Sequence, residues 1–543
     1  MPEFDDGEAR PSLALPPVLV PPEAPRVRLA GSFVLRGVIL EGPTVFDDAT
    51  LAQAVAPFLD REVHAETLPA ITDAITRRYV EAGYVSSGAI VPEQTIESGL
   101  LTVQVIEGRV TSLEIENAGR LRDGWIEDRV ARATSGPFSL PRLDETLRIL
   151  QRDPRIARVD AVVVPAERLG QTRLRLRVAE ARAWTLEGRV ANDLAPSLGG
   201  RRITGTGEHR NVLGWGDTFG VSTSGGRGLF DTQLRYRLPV GPFLTELEVH
   251  GSYAEGEVVE GAFADVGFRN EIASYGVNLV QPIWRGLEDE ARLVVGVERR
   301  TSELTFGTAG VPFQLEVNGD DGDVIRLFLL RLDADWVHRE ADRVLAARVR
   351  ATFGLDAWDA SSPNDTPSPA GAPIREPTLA DGEFQAMLLQ LQYAQRIETP
   401  LGPGEVIARS DVQVASGSLF SLEAFAMGGS TTVRGYAENA VVADNGTLAS
   451  LEVRVPVSPS SWRPHALRLA PFVDFGFAWD DHDDVTSRFT QTYASLGLGL
   501  LYDYGERFRL RAYVAEGLVN EDATRDEALQ RRGIHLEATL AVF

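Results

Sequence analysis

From about residue 182 to its end, the chain repeats with a period of two. Thr232, Leu234, Tyr236 and Leu238 alternate with Gln233, Arg235 and Arg237; Thr245, Leu247, Val249, Gly251 and Tyr253 alternate with Glu246, Glu248, His250 and Ser252. Leu345, Ala347, Val349, Ala351, Phe353 and Leu355 alternate in the same way with Ala346, Arg348, Arg350, Thr352 and Gly354. That period belongs to strands with one apolar and one polar face. No run of about 18 apolar residues occurs, so helical membrane spans are excluded. A membrane barrel is not, because its strands need only about 10 residues with every second one apolar.

A soluble sandwich also alternates, and two features tilt the balance towards the barrel. The polar face is charged on strand after strand, as a wet interior requires. Trp479, Tyr502, Tyr504 and Tyr253 stand towards the ends of apolar rows, where a membrane interface would lie. Connections alternate between short (Val240-Gly241-Pro242, Asp503 to Glu506) and long (Asp356 to Gly382, with Pro363, Pro367, Pro369, Pro373 and Pro377). The 51 glycines and 31 prolines suit that many turns. Residues 182–543 hold an even number of antiparallel strands near 16, at about 10 residues per strand plus loops.

The first third reads differently. Residues 1–30 are acidic, then proline-rich (Pro16, Pro17, Pro21, Pro22, Pro25), and read as an extended linker. Residues 31–109 begin with a strand at Phe33 to Val38. Two helical stretches follow, carrying Leu51, Val55, Phe58 and Leu59, then Leu68, Ile71, Ile75 and Tyr79, and strands are expected at Ser87 to Pro92 and Leu100 to Ile106. Residues 110–181 repeat the order: a strand at Val110 to Ile115, helices at Leu121 to Ala133 and Leu143 to Leu150, and strands at Val159 to Val164 and Thr172 to Val178. The repeat is a βααββ unit of about 70 to 80 residues. With Ile75-Thr76-Arg77-Arg78-Tyr79, Gly83-Tyr84-Val85, Pro92-Glu93-Gln94 and Gly99-Leu100-Leu101-Thr102-Val103, it resembles the polypeptide-transport-associated (POTRA) domains of two-partner secretion transporters.

Within the barrel region, a long connection at about 416–448 contains Gly428-Gly429-Ser430-Thr431-Thr432-Val433-Arg434-Gly435-Tyr436. A later strand, Phe472-Val473-Asp474-Phe475-Gly476, sets Val473, Phe475, Phe477 and Trp479 on one face, which turns Asp474, Gly476 and Ala478 inward. Neighbouring rows add Glu452 and Arg454, and Arg507, Arg509 and Arg511, as lumen charges. An arginine carried in on a loop pairs with such an aspartate through a bidentate fork that lysine cannot reproduce. Val433, Arg434, Gly435 and Tyr436 resemble the loop-tip motif of the TpsB transporters, the haemolysin and adhesin secretion-activation type within the outer-membrane assembly superfamily. Phe472, Asp474 and Gly476 are similar to that family's acidic strand motif. The resemblance implies a contact between Arg434 and Asp474 inside the pore.

Several chemistries are disfavoured. The net charge of −24 argues against a nucleic-acid partner. With no cysteine, disulfides and cysteine-ligated zinc are impossible. Asp480-Asp481-His482-Asp483-Asp484 reads as a solvated outer loop rather than a metal site, and Gly205-Thr206-Gly207 and Gly225-Gly226-Arg227-Gly228 as turns, since no helix pattern follows either. No catalytic constellation, cofactor motif or metal site is found, and an enzyme is not expected.

The resemblance thus implies two α+β POTRA domains followed by an all-β transmembrane barrel of 16 antiparallel strands. It implies a monomeric outer-membrane transporter, with porin-like channel activity, that takes an unfolded TpsA-type exoprotein by its N-terminal secretion domain on the periplasmic POTRA domains and passes it to the surface. A barrel-assembly factor of the same superfamily, and a porin or receptor with periplasmic modules, are the alternatives. Two departures stand out. Only about 30 residues precede the first domain, hardly room for a pore-plugging helix and its linker. Phe543 is also out of phase with the apolar row Ile534, Leu536, Ala538, Leu540 and Val542. The start, Met1-Pro2-Glu3-Phe4-Asp5-Asp6, lacks the basic and apolar regions of an export signal.

Overall fold

The structure, a computed structural model, describes residues 12–14, 31–96, 98–166, 168, 170–241, 243–261, 264–305, 307, 324–361, 380, 382–457, 464–480, 489–519 and 528–542. The chain divides into two compact units, one holding the α/β repeats and the other the barrel.

The α/β unit opens with β1 (Ser12–Ala14). The first repeat then contains β2 (Phe33–Val34), β3 (Gly37–Glu41), α1 (Asp48–Val55), β4 (Glu62–Val63), α2 (Leu68–Glu81), β5 (Gly88–Ile90) and β6 (Leu100–Ile106). The strand expected from Phe33 to Val38 is split, because the N–H of Leu35 donates to Arg61 and that of Arg36 to Gly99, which bends the chain between two sheets. Asp47 caps α1 by accepting the N–H of Thr50 at 2.9 Å. Leu68, Ile71, Ile75 and Tyr79 recur on one face of α2 and bury against Leu101, Val103 and Val105 of β6, which pairs parallel to β3 and antiparallel to β5.

The second repeat contains β7 (Arg109–Asn117), α3 (Asp123–Thr134), α4 (Leu140–Gln151), β8 (Ile156–Pro165) and β9 (Gln171–Glu180). Trp125, Ile126 and Val130 of α3 and Leu143 and Leu147 of α4 close over Val159, Ala161, Val163, Leu174 and Leu176. Its sheet order is β1-β8-β9-β7. Part of the segment expected as a linker is therefore a strand: Ser12, Leu13 and Ala14 pair parallel with Asp160, Ala161 and Val162.

The barrel is closed and has 16 strands, eleven of them before the inward loop. In order these are β10 (Trp184–Ala191), β11 (Arg202–Arg210), β12 (Thr218–Gly225), β13 (Leu229–Val240), β14 (Thr245–Glu257), β15 (Arg269–Arg285), β16 (Asp289–Thr305), β17 (Val324–Arg339), β18 (Arg343–Gly354), β19 (Gln385–Thr399) and β20 (Gly402–Ala415). A two-stranded ribbon, β21 (Phe425–Met427) and β22 (Val441–Ala443), interrupts the wall. The wall resumes with β23 (Asn445–Pro456), β24 (His465–Trp479), β25 (Thr490–Tyr504), β26 (Phe508–Gly517) and β27 (Ile534–Ala541). Neighbours are antiparallel throughout, and β10 pairs with β27 to close the ring, so the wall has no free edge.

Alternation sets the two faces. Val249, Val277, Val295, Leu332, Val473, Phe475, Leu498, Val514 and Leu540 are exposed on the outside, while Glu248, Glu298, Thr352, Asp474, Ser495 and Thr539 are buried within. An apolar belt of that extent is what a soluble protein avoids and a bilayer requires. Gly205 and Gly207, read above as turn residues, lie inside β11. With threonines between them they give a weakly patterned strand whose pairing with β10 and β12 supplies its order. Asp481–Asp484, the prolines at 363–377, Pro242 and Phe543 lie outside the described residues.

Candidate functional site

The connection from β20 to β23 folds back into the barrel and is held at both ends of its course. Its leading half brings the buried Leu419 and Phe420 against Leu327 and Leu329 of β17 and Phe384. Beside them Glu423 accepts from Arg300 of β16 at 2.7 Å and from Arg331 of β17 at 2.8 Å, while Arg300 also donates to the carbonyl of Leu422. Glu298 neutralises the same two arginines, at 2.9 Å from Arg300 and 3.3 Å from Arg331.

The tip crosses to the last strands of the wall. Arg434 donates from Nε and Nη2 to the two carboxylate oxygens of Asp474 at 2.8 and 2.9 Å, and its backbone N–H adds a third bond to that carboxylate at 3.0 Å. Nη1 donates to Glu452 at 2.5 Å, and Nη2 reaches the hydroxyl of Ser450, itself bonded to Asp474 at 2.6 Å. The guanidinium lies 3.4 Å from the ring centroid of Phe472 and 4.8 Å from that of Tyr513. Arg434 is 2% exposed and Asp474 1%, so the pair lies where water cannot compete for its hydrogen bonds. One cation against two carboxylates would leave an excess negative charge, which Arg454 balances by donating to Glu452 at 2.7 Å.

The residues around Arg434 fix the tip by shape. The N–H of Gly435 donates to Nε2 of His535 at 3.1 Å, which requires that nitrogen to be unprotonated. Tyr436 stacks on Tyr493 with centroids 4.0 Å apart and donates its hydroxyl to the carbonyl of Ala494 or Val519. Gly435 has φ +95°, a left-handed backbone that lets the chain turn between these two anchors. Gly476 serves differently: a Cβ there would lie 2.1 Å from Sδ of Met427 and 2.9 Å from Val433, so only glycine lets the loop approach β24. Glu438 closes the tip on itself by accepting from the N–H and hydroxyl of Ser430 at 2.6 and 2.7 Å.

The residues singled out from sequence are thus mostly brought together: Val433, Arg434, Gly435, Tyr436, Phe472, Asp474, Gly476, Glu452 and Arg454 share one cluster, and Arg511 lines the polar cavity beside it. Arg507 does not belong to the lumen wall. It lies exposed in the turn before β26, where its N–H bonds the carbonyl of Tyr504. Arg509 is half-exposed and pairs with Glu187 of β10 at 3.0 Å. Sequence reasoning missed His535, Tyr513, Met427 and the whole Glu423 clasp; the phases of His535 and of Tyr513, in register with Arg509 and Arg511, were available signals. Among the described residues no group of His, Asp and Glu could hold a metal ion.

Comparison with known proteins identifies the family. The model of the POTRA domain, ShlB-type, matches residues 33–108, and that of the haemolysin secretion/activation protein ShlB/FhaC/HecB matches residues 170–501. The chain belongs to this family. Its barrel is accordingly an outer-membrane barrel, with the POTRA region periplasmic. Among curated relatives, the outer membrane transporter CdiB of Escherichia coli is 27% identical over 207 residues, covering 36% of this chain and 32% of that protein. The heme/hemopexin transporter protein HuxB of Haemophilus influenzae strain 86-028NP is 21% identical over 280 residues, covering 48% and 49%. The matched stretches therefore span a third to a half of these relatives' length. Of the solved structures, CdiB from Escherichia coli superposes with a TM-score of 0.68 at 19% identity, covering 97% of this chain and 94% of that one. BamA from Haemophilus ducreyi lacking POTRA domains 1–3 gives 0.52 at 14% identity, covering 94% and 99%. At these identities the likeness is one of fold.

Proposed function

We propose that the protein is a two-partner secretion transporter, in which the POTRA domains take an unfolded exoprotein by its N-terminal secretion domain and the barrel passes it to the cell surface. It works as a monomer and draws on no cofactor. The observation that carries this reading is the loop clasped across the lumen. An inert porin eyelet needs no buried arginine locked to two carboxylates, whereas a pore that must be shut at rest and cleared for a client needs an obstacle with a definite closed position. In the working cycle the client enters, the contacts of Arg434 to Asp474 and Glu452 are given up, and the charged lumen solvates the extended chain as it passes.

The test is to look beside this gene for one encoding a large exoprotein and to measure secretion of that protein in cells carrying the wild type or Arg434→Ala, with insertion checked by heat-modifiable gel mobility. Unchanged secretion and unchanged channel conductance in a correctly inserted Arg434→Ala protein would remove the loop from the mechanism. Wild-type failure to export any neighbouring exoprotein would count against the transport reading itself.

A further inference from the structure

Beside the seated tip lies a polar cavity of about 180 Å³, roughly ten times the space that a single water needs. Five arginines and three carboxylates line it, in a chain whose net charge is −24. The carboxylates are already taken. Asp193 accepts from Arg189 and Arg202, Glu537 accepts from Arg189, and Glu452 accepts from Arg434 and Arg454. Arg409 and Arg511 are left over: among the described residues neither guanidinium has a hydrogen bond or an ion pair.

The ladder puts both on the inner face of the wall. Arg409 of β20 stands opposite Ser450, which bonds Asp474, and Arg511 of β26 stands opposite Glu537. Asp411, two positions along the same face, attracts Arg409 without pairing with it and takes a hydrogen bond from Gln390. The loop contributes Thr431, whose hydroxyl lines the same cavity.

A guanidinium binds oxyanions through a planar fork of N–H donors. A carboxylate offers two oxygens, enough for one fork. A tetrahedral oxyanion offers four, enough for two forks and a hydroxyl.

We propose that this cavity is an oxyanion site, in which Arg409 and Arg511 bind one phosphate or sulfate and the bound anion ties the loop tip to the wall. The lining belongs to the inner face of a closed barrel, so the ligand is a soluble anion and not a lipid headgroup. Thr431 and Arg434 form part of the lining and leave it when the tip withdraws. The anion therefore binds the seated state better than the withdrawn one, and shifts the loop towards its seat by mass action. This goes beyond the transport reading and needs no client.

The test uses the full chain, purified in detergent and reconstituted in planar bilayers, with phosphate replacing chloride at constant ionic strength. Expected by calorimetry are saturable binding of one phosphate per chain, displacement by sulfate, and binding of acetate about tenfold weaker. Arg409→Gln and Arg511→Gln, each checked for insertion by heat-modifiable gel mobility, should each weaken phosphate binding about tenfold. Phosphate at about ten times its Kd should lower the ratio of open to closed time about tenfold in the wild type. The double variant Arg409→Gln/Arg511→Gln should show no such response. Arg434→Ala, which releases the tip, should bind phosphate more weakly than the wild type, because the coupling is reciprocal. Binding that does not saturate, or that is unchanged in both single variants, overturns the site. Acetate bound as tightly as phosphate overturns the tetrahedral assignment, and saturable binding with no change in open time overturns the tie between anion and loop.

Discussion

Arg434 and Asp474 meet as a fork on a carboxylate, Nε and Nη2 reaching its two oxygens at 2.8 and 2.9 Å, with both side chains buried in the barrel. Removing the arginine leaves Asp474 without its cation and Glu452 with Arg454 alone. Breaking a buried pair in this way costs about 3–5 kcal/mol, here in the stability of the docked loop. Arg434→Ala is expected to raise single-channel conductance in planar bilayers and to expose the tip to added protease. Arg434→Lys should behave nearly as badly, because an ammonium cannot span both oxygens.

The clasp of the leading half should be weaker. Glu423 binds Arg300 and Arg331 where the side chains are partly accessible, and hydrogen bonds between charged groups are worth about 1.5–3 kcal/mol when buried. Glu423→Gln keeps the shape and loses the charge, so it should give more frequent but brief openings, with the tip lock still in place. Recording open probability for the single and double variants with Arg434→Ala checks this; equal open times for the two single variants would contradict it.

Gly476 offers a test that removes no hydrogen bond. Gly476→Ala places a methyl where Sδ of Met427 stands, an overpacking that costs about 1–3 kcal/mol. Protease sensitivity of the loop should rise, and Met427→Ala should restore protection in the double variant by making room. Failure of that rescue would mean that the alanine perturbs β24 itself.

The first α/β domain contains an acid-sensitive tie. Burial works to raise the Glu107 carboxyl, but bonds from the Thr44 hydroxyl, from the N–H groups of Thr44 and Val45, and from the Tyr79 hydroxyl at 2.9 Å outweigh it and hold it below the usual carboxylate range. A depressed folded pKa gives stability that is present above the unfolded value of about 4.3 and is lost as pH falls through the folded one. Hydrogen exchange in residues 33–108, corrected for its intrinsic pH dependence, should show protection falling below about pH 4, and Glu107→Gln should flatten that fall.

Much of the architecture is legible in the sequence because a period of two leaves little freedom. Parity alone turns Asp474 inward with Phe472, and parity is blind to where a strand stops. That is why phase with Arg509 and Arg511 puts Arg507 in the lumen, although it stands in the turn at Gly505 to Arg507, before β26 begins. Gly205 and Gly207 misled for the opposite reason: a strand of small residues has too little contrast to show its period, and the ladders on both sides impose it. The tip motif could be found since its residues are consecutive. The Glu423 clasp could not, because its partners lie 123 and 92 residues away and no local pattern marks a lone glutamate that meets two arginines.

The partners of the loop tip are all late in the chain: Ser450 and Glu452 on β23, Asp474 on β24, Tyr493 on β25, Tyr513 on β26 and His535 on β27. During synthesis, Arg434 emerges before any of them exists. The leading clasp on β16 and β17 can form early, but the set of tip contacts is complete only once the last strand, with His535, has joined the wall. Full seating of the tip is thereby tied to completion of the barrel, and a chain that stalls short of β27 leaves Gly435 without its His535 acceptor.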